Sequence, residues 1–116
     1  DCPIYQGALY VWEADAVSST TALWPGSHLD PYSTLMEDEM FKTSGKKGMH
    51  YCEISAMKDK EKATGLAHGW ASHARRVPVP AGALLLWASR TAHAGWKGGP
   101  RLAQAVCLEP ATRRSE

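Results

Sequence analysis

The 116-residue sequence predicts an all-β domain, a sandwich or barrel of short strands, carrying a small helical insert. Three observations predict it. Runs rich in aromatic and branched residues recur between Gly and Pro turn signals. Helix formers gather in one stretch, from Ser55 to Ala74. Strands and helices do not alternate in the way that builds a parallel sheet.

In chain order, Tyr5 to Trp12 (YQGALYVW) reads as the first strand and Thr20 to Trp24 (TTALW) as the second, stopped by Pro25-Gly26. Ser27 to Lys47 is polar and broken by Pro31 and Gly45, with room for a short helix around Met36 to Lys42. Met49 to Ile54 (MHYCEI) fits a third strand. Within Ser55 to Ala74, Gly65 and Gly69 are expected to interrupt any long helix. Arg76 to Pro80 is extended, because its two prolines disfavour helix and a central ladder position. Gly82 to Trp87 (GALLLW) reads as a buried strand. Arg101 to Leu108 (RLAQAVCL) reads as a last one, opened by Gly98-Gly99-Pro100.

Hydrophobic residues make up 44% and charged residues 22%, which is ordinary for a globular protein and excludes a wholly disordered chain. The longest uncharged apolar run, Ala81 to Ala88, falls far short of the ~20 residues of a membrane span. Cys2, Cys52 and Cys107 form no CxxC pair and one is odd, so free thiols in a reducing, cytoplasmic setting are expected. No leader is read at the start, and a first residue of Asp1 rather than Met suggests a piece of something longer. Residues 1–41 hold seven acidic residues and no Lys or Arg, whereas all thirteen basic residues follow. The asymmetry fits two differently solvated faces of one domain, or an anion held by the second half and a cation helped by the first. The basics are scattered and no nucleic-acid motif interleaves them with aromatics, so no nucleic-acid partner is expected.

Two residues stand out chemically. His93 follows the GALLLW strand among small residues, a good place for a metal ligand, although a lone histidine is more often a hydrogen-bonded structural residue. Strand alternation puts Arg101 on one face with Ala103, Ala105 and Cys107. Small side chains leave room for a ligand, and a guanidinium holds a carboxylate by two parallel hydrogen bonds. An arginine snorkelling to solvent from a strand end satisfies the same pattern. His28, His68 and His73 carry no metal-ligand spacing, and no nucleophile triad, phosphate loop or zinc motif is present.

Leu23-Trp24-Pro25-Gly26-Ser27-His28, followed by Val79-Pro80-Ala81-Gly82-Ala83-Leu84-Leu85-Leu86-Trp87-Ala88-Ser89-Arg90-Thr91-Ala92-His93, resembles the phytanoyl-CoA dioxygenase family of non-haem iron, 2-oxoglutarate-dependent oxygenases. The resemblance implies a double-stranded β-helix (a cupin-like jelly roll), here an incomplete one. It divides the chain into a metal-carboxylate strand and PGSH loop (1–28), an insert (29–74) and the strands of a distal histidine and a co-substrate arginine (75–110). It implies Fe(II) bound by Asp1 and His93, and 2-oxoglutarate bound by Arg101 with Gln6 beside it. Trp24 and Trp96 would wall the side of a small-molecule substrate that is hydroxylated with molecular oxygen. The family's first histidine would stand two residues before Asp1, outside this chain, so the isolated chain is expected to bind iron weakly. A non-catalytic jelly-roll binding module, or an inert fragment of such an enzyme, is the alternative.

Overall fold

The computed structural model describes residues 4–46 and 53–111. Its strands are β1 (Tyr5–Tyr10), β2 (Thr20–Leu23), β3 (Arg75–Arg76), β4 (Leu84–Ala88), β5 (His93–Trp96) and β6 (Ala103–Leu108). They form two three-stranded antiparallel sheets, ordered β4–β1–β6 and β3–β2–β5. The chain passes from one sheet to the other after β1, β3, β4 and β5. Tyr10, the last residue of the central β1, ties the sheets together: its hydroxyl lies 3.2 and 3.0 Å from the hydroxyls of Thr20 and Thr21 on β2. Around it Ala8, Ala14 and Val79 are buried, with Val77, Ala83, Leu85 and Ala103 packed against them.

Local chemistry sets the corners. Trp24-Pro25-Gly26-Ser27 closes with the Ser27 amide on the Trp24 carbonyl at 3.2 Å, and Gly26 takes φ +81°. Pro80-Ala81-Gly82-Ala83 does the same at 3.1 Å, with Gly82 at φ +78°. A positive φ at the third position of a turn is what glycine supplies without steric cost. Arg76 holds the loop after β1 by donating to the carbonyls of Asp15 and Ser18.

The helices lie in the insert: α1 (Tyr32–Met36), α2 (Glu39–Lys46) and α3 (Lys60–His73), with a 3₁₀ turn at Ile54–Ala56. They carry a second apolar cluster of Leu35, Met57 and Leu66, against which Trp24, Met40, Phe41, Ile54 and Ala63 pack. Among the described residues no helix is long and apolar enough to cross a membrane.

Several expectations are corrected. Gly65 and Gly69 do not interrupt the helix, and α3 runs through both. At Gly69 the reason is packing, since an added Cβ would stand 2.4 Å from the Trp24 ring. The GALLLW strand is not buried: β4 is bonded to β1 alone in its sheet, and Leu84 and Leu86 are 47% and 43% exposed. Of the expected Met49-to-Ile54 strand, residues 49–52 lie outside the described residues, and Ile54 opens the 3₁₀ turn. β5 was not expected at all. It forms because Thr20 to Leu23 offers His93 to Trp96 a free ladder edge.

Candidate functional site

Alternation along β1 turns Gln6, Ala8 and Tyr10 toward the other sheet, and β6 turns Ala103, Ala105 and Cys107 the same way. Between the sheets lies a cavity of about 510 Å³, to which Gln6, Trp87, His93 and Arg101 contribute walls. Thr21, Ala103, Ala105 and Cys107 also line it. The resemblance assigns Gln6, His93 and Arg101 to one site, and all three line this cavity. Among the described residues that line it, Arg101 is the one formally charged side chain, so this part of the cavity suits an anion.

His93 opens β5 opposite Leu23 of β2. The preceding loop is fixed by Ser27, which donates its hydroxyl to the Trp24 carbonyl at 2.7 Å and accepts the Ala92 amide at 2.8 Å. One buried serine thus joins the two motifs that carried the family resemblance. His93 Nδ1 donates to the Thr91 carbonyl at 2.8 Å, since a carbonyl only accepts. That tautomer leaves the lone pair on Nε2, the form in which a histidine ligates metal with its other nitrogen anchored. Its ring leans on Trp87, with centroids 5.1 Å apart.

Arg101 precedes β6. Its guanidinium makes a long 3.4 Å contact with the Tyr10 hydroxyl, which also accepts the Thr21 amide at 3.0 Å. Burial pushes the Tyr10 phenol up, but its hydrogen bonds with Thr20, Thr21 and Arg101 together outweigh it and hold the phenol below its ordinary value. The Tyr10 hydroxyl engages one guanidinium nitrogen, and the other guanidinium donors remain for a ligand. Arg101 also reaches a neighbouring, more open cavity of about 380 Å³, lined by Ser19, Gly95, Trp96 and Lys97.

Asp1 lies outside the described residues. Among those described, no group of three or more His, Cys, Asp or Glu is placed to hold a metal, and His93 is the ligand-type side chain on the large cavity that the resemblance assigns to iron. Trp96 walls the neighbouring cavity. Trp24 is elsewhere: it stacks on His73 with centroids 5.6 Å apart and planes 9° from parallel, against α3. Cys107 carries a free thiol on the cavity wall. Sequence reasoning missed Trp87 and Tyr10. The period-two signal that found Arg101 also puts Trp87 on the Leu85 face and Tyr10 on the Gln6 face. No protein-family model, curated protein or solved structure matches this chain.

Proposed function

We propose that this chain forms the cavity-bearing part of a jelly-roll Fe(II)/2-oxoglutarate-dependent dioxygenase that hydroxylates a small organic substrate. The convergence of His93, Gln6 and Arg101 on one cavity between two sheets carries the reading. The repeated crossing of the chain from sheet to sheet supports the jelly-roll assignment.

His93 fits a metal through Nε2, because its Nδ1 is already committed to the Thr91 carbonyl. Asp1, by the resemblance, would add the carboxylate. Bound iron would couple decarboxylation of 2-oxoglutarate by oxygen to hydroxylation of the substrate. The protein's own work is positioning. Arg101 takes the far carboxylate in a two-pronged grip, Tyr10 steadies the guanidinium, and Ala103 and Ala105 leave room for the carbon chain.

The test is an anaerobic titration of the full-length protein with Fe(II) and 2-oxoglutarate. A visible metal-to-ligand charge-transfer band is expected, lost in His93→Ala. In Arg101→Ala the 2-oxoglutarate concentration needed should rise at least tenfold, as loss of a charge-assisted pair implies. A titration in which 2-oxoglutarate produces no band and no binding overturns the reading. Metal-independent binding that still needs Arg101 would instead mark a non-catalytic module.

A further inference from the structure

Gln6 and Trp87 face each other directly across the β1–β4 ladder, so their side chains are close neighbours on one face of the sheet. Both line the large cavity. Gln6 Oε1, an acceptor, and Trp87 Nε1, a donor, are shut off from solvent and have no hydrogen-bond partner among the described residues. Buried polar groups are nearly always paired, and leaving one without a partner is costly. One orphan is an accident of packing. Two of opposite polarity on one rung, beside a cavity, describe the complement of a single group that both accepts and donates.

We infer that Gln6 and Trp87 form a subsite for a carboxamide or peptide-like amide, whose carbonyl takes the Trp87 indole N–H and whose N–H donates to Gln6 Oε1. A carboxylate would satisfy the indole but face the Gln6 oxygen with a second acceptor. The pair is also separate from the anion grip. Arg101 rests on Tyr10, four residues along β1 from Gln6, which is roughly 13 Å of extended chain. On the dioxygenase reading, on which the amide's identity as primary substrate rests, the amide would lie beside the His93 ring, which stands against Trp87.

The five tryptophans give indole N–H signals in a ¹⁵N-correlated spectrum of the labelled chain, and Trp87→Phe identifies the Trp87 signal by its loss. The probes are propionamide, propionate and 2-oxoglutarate. Propionamide should shift the Trp87 signal downfield to saturation, and propionate should bind at least tenfold more weakly. Gln6→Leu should weaken propionamide at least tenfold, and saturating 2-oxoglutarate should leave it bound. Should Trp87→Phe fail to fold, the Gln6→Leu spectrum identifies the same signal by its neighbour's change. An unmoved Trp87 signal, equal binding of propionate, or displacement by 2-oxoglutarate overturns the inference. Propionamide binding in a chain that does not take up 2-oxoglutarate would sustain the subsite and overturn the dioxygenase reading instead.

Discussion

Asp15 and Asp38 show how single carboxylates fasten the irregular parts of this chain. The Ser18 hydroxyl and the Val17 and Ser18 amides hold the Asp15 carboxyl below its ordinary value, with Arg76 adding attraction. At Asp38 the Met40 amide, at the start of α2, lowers the carboxyl against the effect of burial, and the Asp59 amide ahead of α3 assists. Both groups are more acidic folded than unfolded. Their stabilisation is therefore complete above the ordinary carboxylate value of about 4 and fades as pH falls through their lowered values. Thermal melting followed into acid should show that decline, and Asp38→Asn should both lower the neutral-pH melting temperature and flatten the acid slope. An unchanged slope would remove Asp38 from the account. At this scale the sequence was legible where a side chain's meaning depends on its own strand. The shared face of Arg101, Ala103, Ala105 and Cys107 could be read from alternation alone. The Trp87 role could not, because it depends on which residue of another strand stands opposite.

The helix α3 offers a paired experiment on glycine. In a helix interior, alanine is favoured over glycine by about 1 kcal/mol. At Gly65 a Cβ meets nothing within 4 Å, so Gly65→Ala should stabilise the chain by about that amount in a urea melt. At Gly69 the Cβ would strike the Trp24 ring at 2.4 Å and part it from His73. Gly69→Ala is expected to destabilise in spite of the better helix residue, and equal stabilisation by both would refute the packing account. The same contact explains why the continuity of α3 through Gly69 was not foreseen. Propensity penalised both glycines, while the neighbour that makes Gly69 useful comes from the turn after β2. β5 was invisible for a related reason. His93-Ala94-Gly95-Trp96 lacks the branched residues of a strand and is extended by its pairing with β2.

The whole molecule is open for its size. Its accessible surface is 7927 Å², against about 6,200 Å² for a compact protein of this mass. The radius of gyration is 15.3 Å, against about 13 Å. Part of the excess is the outer face of the β4–β1–β6 sheet, where Tyr5, Leu9, Leu84, Leu86 and Leu108 are each 39–49% exposed. A contiguous apolar face of this kind favours association. Sedimentation is expected to show concentration-dependent self-association, reduced when Leu84 and Leu86 on the edge strand are both replaced by lysine. A monomer at all concentrations would contradict it. The two-sheet architecture was readable from short strands and turn signals. The order of the strands was not, because β1 pairs with segments far along the chain. That order has one more consequence. Leu23 and Arg75 are direct partners in the β2–β3 ladder, so the chain leaves the sheet for the helices and returns to it at neighbouring points. Helices α1, α2 and α3 all lie inside that excursion. Residues can be added to or taken from it without changing the separation of its two ends, and the insert can diversify while the sheets that wall the cavity keep their register.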